Sequence, residues 1–201
     1  MIFIYILMFY FFVKGVKVVS RTVFHSWNKN ESLNDFLGRI NYNIGEKVLL
    51  AGDIGVLGKE LRLAGVNVTI LENTNYEDVC YALVHNENCN FVKGNLEYLP
   101  FANNYFDKVI VMEQFNCIGN YKKASLEISR VLKDDGELIL EDFDLNNIKN
   151  KMRYVKRKIC GLCGNHFYPS DIKDIFSELS FDGYVEAFNN YRYLYIAKKR
   201  V

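Results

Sequence analysis

The feature that most constrains the fold is a pair of short apolar segments joined through a glycine-rich turn. Residues 47–51 lead into a GxxGxxG turn that begins at Gly52, and residues 66–71 lead into Glu72. The two apolar segments predict strands, and the glycines predict a tight turn into the helix that connects them. A strand, a helix and a second strand in this order form a crossover unit, which is the building block of a parallel sheet.

The same alternation continues along the chain. Further strands are predicted at residues 90–92, 108–112 and 137–140, with helices at residues 79–85 and 124–132 and a turn at Asp134–Gly136. An earlier amphipathic helix is predicted to begin at residue 32, with Ser32 as its N-cap. Helices between parallel strands predict an α/β fold with a doubly wound, Rossmann-like sheet.

The last quarter of the chain predicts a different ending. Ser170 is predicted to cap a helix that runs to residue 179, and Asp182–Gly183 is predicted to turn. Residues 184–188 and 192–198 then read as two strands around an Asn189–Asn190 hairpin. The sheet is therefore expected to end in an antiparallel pair.

Composition excludes several classes of protein. The chain has 201 residues, half of them apolar, which is enough to bury the core of one domain. With 25 basic and 24 acidic residues, its net charge of +1 argues against a globally basic nucleic-acid binder. Five cysteines in a chain of this length do not suggest a disulfide scaffold, so we expect reduced thiols and a cytoplasmic protein.

The N-terminal arm, residues 1–28, precedes a domain expected to cover residues 29–201. Residues 1–13 carry no charge, yet they are fewer than the roughly 20 that span a bilayer as a helix. Three interpretations stay open: packing on this protein or a partner, contact of residues 1–19 with a membrane surface, and upstream sequence absent from the mature protein.

The glycine turn predicts a nucleotide cofactor. Glycine lets the backbone turn sharply and a ligand approach closely, and a carboxylate at Glu72 can accept hydrogen bonds from both ribose hydroxyls. Two cofactor families share this layout. The GxxGxxG spacing is similar to that of short-chain dehydrogenases, which bind NAD(P), so an NAD(P)-binding oxidoreductase is one alternative.

The other family covers more of the chain. Residues 33–199 resemble the class I S-adenosylmethionine-dependent methyltransferases, in particular the small-molecule group that includes quinone-biosynthesis enzymes. The matching segments are residues 45–49, 94–101, 103–111, 127–133 and 136–140, and the segment from Ser170 through the predicted helix to Phe181. The resemblance implies a seven-stranded methyltransferase sheet and methyl transfer to a small acceptor, anionic or hydrophobic. A catalytically inactive binding protein with this fold is the second alternative.

The resemblance also implies binding residues for the cofactor. Gly52 and Gly55 would approach its methionine end, Glu72 would bind the ribose, Asn95 would meet the adenine amino group, and Leu96 would pack on the ring. Asn95 stands where the family has an aspartate, and its carbonyl can still accept that hydrogen bond.

The cofactor loop departs from the family pattern. Leu50 stands at the position of the family acid, and either Ile54 replaces the middle glycine or the loop is one residue short. Asp53 lies within the loop, where its carboxylate can either take over the contact with the cofactor's amino group or repel the cofactor's carboxylate. Glu113 and Gln114 follow the fourth strand, at the mouth where the acceptor sits in the family, Glu113 toward the cofactor and Gln114 toward the acceptor. No catalytic residue is assigned, because a sulfonium already carries its leaving group.

The N-terminal arm and residues 145–170 are expected to form a cap over the acceptor site. Six basic residues fall between positions 149 and 158, which predicts either a solvated helix face or an anion site for a phosphate, a carboxylate-bearing acceptor or a membrane surface. In the second case the acceptor-binding candidates are Arg153, Lys156, Arg157 and His166.

A Cys-x-x-Cys-Gly segment follows the basic run. Cys160, Cys163 and His166 would supply three ligands to a zinc ion, completed by Cys89, Cys117 or a second subunit. A redox pair and two ordinary thiols are the alternatives.

Overall fold

The computed structural model describes residues 30–72, 82–159, 165 and 167–200. The chain divides into two compact units, Met1–Asn41 and Tyr42–Val201. The described part of the first contains helix α1, Asn30–Arg39. Ser32 therefore lies inside this helix, so its assignment as the N-cap was wrong.

The second unit is built on one sheet of seven strands. The order across the sheet is β3-β2-β1-β4-β5-β7-β6. The first five strands in the chain are parallel, and β7 runs antiparallel to both β5 and β6. The strands are β1 Lys47–Gly52, β2 Asn67–Glu72, β3 Asn90–Lys93, β4 Phe106–Met112, β5 Leu132–Phe143, β6 Phe181–Asn189 and β7 Arg192–Lys199. The predicted antiparallel ending is confirmed.

Helices cover both faces of this sheet. Besides helical residues 82–85, the described residues include α2 Leu57–Leu63, a 3-10 turn Phe115–Cys117, α3 Tyr121–Val131, α4 Ile148–Ile159 and α5 Pro169–Ser177. Leu71 joins the main core with Ile128 of α3 and Ile172 of α5. A Cβ on Gly58 of α2 would lie 3.0 Å from Ile70, whose side chain points to the opposite face. The doubly wound α/β fold is therefore confirmed.

Strand β5 is longer than predicted. It begins at Leu132, so Asp134–Gly136 lies within it rather than before it. The pairing with β4 jumps from Phe106↔Leu132 to Lys108↔Glu137, and Asp135 has φ 60°. The expected turn residues bulge out of the strand without ending it.

Two boundaries near the C-terminus were also wrong. Helix α5 starts at Pro169 after the N-cap Tyr168, whose amide donates to the Asp171 carboxylate at 2.8 Å. Ser170 is therefore not the cap. Asp182–Gly183 lies inside β6. A Cβ on Gly183 would sit 2.3 Å from the Cβ of Ala197, so this glycine serves the close approach of β7.

Candidate active site

The carboxyl ends of the parallel strands bring most of the predicted site residues to one edge. Asn95 follows β3, Glu72 ends β2, Gly52 ends β1 and Glu113 follows β4. Strands β1 and β4 are neighbours, and the chain leaves β1 toward β2 on the other side. The strand order therefore reverses between β1 and β4, which is where open α/β sheets bind ligands. A cavity of about 540 Å³ lies instead at the opposite edge, beside Glu137 and Lys198.

The glycine turn is shaped by the neighbouring strand. Gly52 has φ 95° and Gly55 has φ 51°. The Asp53 amide donates to the carbonyl of Met112 at 3.0 Å, and a Cβ on Gly52 would lie 1.9 Å from the same oxygen. Glycine is required at position 52 because β4 leaves no room for a side chain.

Asn86 braces this turn, and it was not predicted as a site residue. Its fully buried amide donates to the carbonyl of Gly55 at 2.9 Å and accepts from the amide of Lys59 at 3.0 Å. A Cβ on Gly58 would lie 2.7 Å from the Asn86 side-chain oxygen. The third glycine of the turn therefore makes room for the residue that holds the loop to α2.

An ion pair on α3 braces the segment after β3. Arg130 donates to the carbonyls of Leu99 and Phe101 at 3.0 and 2.7 Å. Glu127 accepts from the Leu99 amide at 2.8 Å, and its hydrogen bond to Arg130 holds the pKa of this carboxyl below its usual value. Two of the segments that resemble methyltransferases thus contact each other.

The same segment carries Asn95 and Leu96. The Asn95 side-chain oxygen accepts from the Glu97 amide at 2.9 Å, which closes a tight turn. Leu96 is buried in the main core. Asn95 can still accept a second hydrogen bond, because its oxygen has two lone pairs.

Beyond β4, a buried cluster of carboxyl groups shares one arginine. Arg192 of β7 donates to Glu113 and, at 2.9 Å, to Glu141 of β5. The side chains of Glu113 and Glu141 are 3% and 0% exposed. The second oxygen of each carboxyl is buried and has no hydrogen-bond partner. The single guanidinium of Arg192 thus pairs with two carboxyl groups that are shielded from water.

Burial dominates the protonation of this cluster. It raises the pKa of Glu113 to about 9 and the pKa of Glu141 to about 7, despite the opposing charge of Arg192. Burial also raises the pKa of Asp142 to about 6, against the hydrogen bonds from the Phe143 and Asn116 amides. Asp53 adds negative charge near both glutamates. Burial therefore favours the protonated form of Glu113 at pH values where an exposed glutamate is ionised.

Polar contacts tie the segment before α5 to the loop after β4. The Asn116 side chain accepts from the Phe167 amide at 3.2 Å, and Asn165 donates to the carbonyl of Ile118 at 2.8 Å. The Asn116 amide in turn donates to Asp142 at 3.3 Å. Asn165 and Phe167 therefore approach the same edge as the carboxyl cluster.

The acceptor-binding candidates are only partly described. Arg153 and Lys156 are exposed on α4, with the Arg153 guanidinium 5.6 Å from the ring of Phe143 at the end of β5. The Arg157 side chain is not described. Gln114 follows Glu113, and its side-chain oxygen is buried without a hydrogen-bond partner.

The predicted zinc ligands Cys160, Cys163 and His166 lie outside the described residues, as does the N-terminal arm. Within residues 30–72, 82–159, 165 and 167–200, no three His, Cys, Asp or Glu side chains form a candidate metal site. Cys89 is a half-buried free thiol, and burial raises its pKa. The zinc ligand set therefore stays a prediction. None of the helices in the described ranges is long and apolar enough to cross a membrane.

Comparison with known families decides between the two cofactor families. A profile described as "Methyltransferase domain" matches residues 83–193, more than half of the chain. The chain belongs to this methyltransferase domain family. Its strand order and its relatives make it a class I methyltransferase domain of the S-adenosylmethionine-dependent type.

Curated relatives agree with this family. The chain is 34% identical over 104 residues to the ubiquinone/menaquinone biosynthesis C-methyltransferase UbiE of Blochmanniella pennsylvanica, covering 52% of this chain and 35% of that protein. It is 34% identical over 110 residues to UbiE of Haemophilus ducreyi, covering 49% and 42%. The chain thus spans about two fifths or less of the length of these relatives.

Solved structures share the methyltransferase fold over most of the chain. A putative methyltransferase from Bacillus halodurans C-125 superposes with a TM-score of 0.70 at 16% identity, covering 86% of this chain and 100% of that one. Phosphoethanolamine N-methyltransferase 2 of Haemonchus contortus, solved with S-adenosyl-L-methionine, gives 0.67 at 16% identity, covering 86% and 53%. At these identities the likeness concerns the fold.

Several residues of the site were not found from the sequence. Arg192 meets Glu141 and Glu113 from positions 51 and 79 residues away, a separation that local patterns do not reveal. One signal was present: Glu141 and Asp142 continue an apolar strand without a break. Acids that follow a buried strand in this way require a partner or a raised pKa.

Proposed function

We propose that this chain transfers a methyl group from S-adenosylmethionine to a small acceptor molecule, anionic or hydrophobic, in the cytoplasm. One observation carries the proposal: in a methyltransferase domain, an edge lined by carboxyl groups coincides with the reversal of strand order between β1 and β4. In this proposal the cofactor domain covers residues 29–201, and residues 145–170 wall the acceptor site.

The residues at this edge fit the chemistry of the cofactor. S-adenosylmethionine carries a sulfonium and an ammonium group, and the carboxyl groups of Asp53, Glu72 and Glu113 lie along the edge. Buried oxygens of Glu113 and Gln114 have no hydrogen-bond partner, and in this proposal the bound ligand supplies one. The bound cofactor would supply a methyl group that is already activated.

The protein's own residues would then bind and orient. Glu72 would accept from the ribose hydroxyls, and Asn95 from the adenine amino group. Asp53 would hold the cofactor's amino group in place of an acid at Leu50, while Gly52 and Gly55 allow close approach.

The acceptor would meet the protein beyond the carboxyl cluster. Gln114 would contact the acceptor, and an anionic acceptor would be held by Arg153, Lys156 and Arg157, with His166 beside them. Alignment of acceptor and methyl group supplies most of the rate enhancement in such a site.

Calorimetric titration of the full chain tests this proposal. We expect binding of S-adenosylmethionine and of its demethylated product S-adenosylhomocysteine, and no binding of NAD(P). Glu72→Gln should weaken both affinities about tenfold, the equivalent of about 1.4 kcal/mol for a charged hydrogen bond. Glu178→Gln, the same change at an exposed position, is the matched control. Absence of binding by either adenosyl compound would overturn the proposal.

A further inference from the structure

Helix α4 exposes its apolar side chains. Ile148, Met152, Val155 and Ile159 are 67%, 68%, 49% and 81% exposed. They are spaced by four, three and four residues, so they form one continuous stripe along the helix. A helix that packs on its own domain buries such a stripe, so α4 has the reverse arrangement.

Polar contacts fix this orientation. Asn150 is only 4% exposed, and its amide donates to the carbonyls of Asp144 and Tyr191 at 2.9 and 2.6 Å. Asn147 caps the helix by accepting from the Lys149 amide at 2.9 Å, and it donates to the carbonyl of Asn190 at 2.8 Å. The side of α4 that meets the domain is therefore polar, and the apolar stripe points away from it.

Lysines border the stripe. Lys149 and Lys156 lie along one side of it and Lys151 along the other, all three exposed. No acidic residue occurs between Asp144 and Asp171. An apolar stripe with cationic borders is the arrangement of helices that lie in the headgroup region of anionic bilayers, where lysine stems follow the apolar surface and ammonium groups reach the phosphates.

We propose that α4 docks this chain on membranes that carry anionic phospholipids, with Ile148, Met152, Val155 and Ile159 inserted between the acyl chains. An anionic bilayer fits better than a protein groove because cations border both sides of the stripe without a single acid. The proposal stands on the geometry of α4 and does not depend on methyl transfer. Docking would also bring the end of β5, which α4 follows, toward the membrane surface.

Vesicle binding by the full chain tests the docking. We expect co-sedimentation with vesicles that contain phosphatidylglycerol, and much weaker binding to phosphatidylcholine alone. The double substitution Met152→Glu and Val155→Glu should lower the partition coefficient at least tenfold, because it removes apolar contact and adds repulsion. Leu63→Glu with Leu126→Glu, exposed apolar positions on α2 and α3, is the matched control and should bind as the unaltered chain does.

Two further measurements separate the alternatives. A nitroxide on Met152→Cys should become shielded from a water-soluble relaxation agent when anionic vesicles are added. Light scattering should give the same mass for the unaltered chain and the glutamate double variant. Equal partition of the unaltered chain and the glutamate double variant onto the vesicles would overturn the proposal. Binding that residues 1–19 provide alone would give this result. A mass that falls in the variant would identify a second copy of the chain as the occupant and would also overturn it.

Discussion

Replacing Glu113 by glutamine should change how stability depends on pH. The carboxyl group of Glu113 is 3% exposed, and burial raises its pKa from 4.5 to about 9. A carboxyl with a raised pKa in the folded state favours folding fully below its unfolded pKa. That contribution is lost as pH rises through the folded pKa. The affected window therefore runs from about pH 4.5 to about pH 9.

The magnitude follows from the number of protons involved. Above pH 7, Glu141 and Asp142, with pKa values of about 7 and 6, have largely lost theirs. Of these three carboxyl groups, Glu113 alone then still differs in protonation between the folded and unfolded chains, so its contribution to the free energy of unfolding falls by about 1.4 kcal/mol per pH unit. Between pH 7 and pH 9 the loss is on the order of 2 kcal/mol. The Glu113→Gln variant has no proton to lose at this position, and Arg192 keeps its hydrogen bond to Glu141.

Urea denaturation followed by circular dichroism at several pH values measures this effect. The free energy of unfolding of Glu113→Gln, relative to the unaltered chain, should rise by about 2 kcal/mol from pH 7 to pH 9. Glu178→Gln makes the same chemical change at an exposed site and should run parallel to the unaltered chain. Parallel curves for Glu113→Gln would refute the assignment of a buried, protonated glutamate.

Three other outcomes follow from the same contacts. Arg192→Met should lower the free energy of unfolding by about 3–5 kcal/mol at pH 8, because it leaves buried carboxylates without their cation. The loss should be clearly smaller at pH 5, and an equal loss at both pH values in urea denaturation would contradict this. Asn86→Ala should lower the free energy of unfolding by about 1–3 kcal/mol and speed hydrogen exchange of the Lys59 amide, which loses its acceptor. Unchanged exchange of this amide would argue against the role of Asn86 in holding the glycine turn. Calorimetry at pH 8 in buffers of different ionisation enthalpy should show proton release when S-adenosylmethionine binds, since a nearby cation favours ionised Glu113. The release should be smaller for S-adenosylhomocysteine, which lacks the sulfonium charge, and equal release would count against a sulfonium near the cluster.

Local patterns were sufficient to predict the parallel half of the sheet. Residues 47–51 and 66–71 are short and mostly apolar, and the glycine turn between them leaves few alternatives to a crossover unit. The Asn189–Asn190 signal similarly located the hairpin between β6 and β7. In these segments, backbone preference and burial point to the same structure.

Tertiary contacts decided the elements that were predicted wrongly. Asp134–Gly136 has the composition of a turn, yet pairing with β4 extends β5 on both sides of it. Gly183 looked like part of a turn, but it is small because Ala197 of the neighbouring strand approaches it. Partners at such sequence distance leave no periodic signal, and the same holds for the contact of Arg192 with Glu113 and Glu141.

A crystal structure of the full chain with S-adenosylhomocysteine tests the central claim most directly. The account predicts the ligand in the crevice between the ends of β1 and β4, with its ribose hydroxyls within hydrogen-bond distance of the Glu72 carboxylate. Its adenine should lie beside Asn95, and its sulfur should face the side of Glu113. A ligand bound at another edge of the sheet, or with its ribose away from Glu72, would contradict the account.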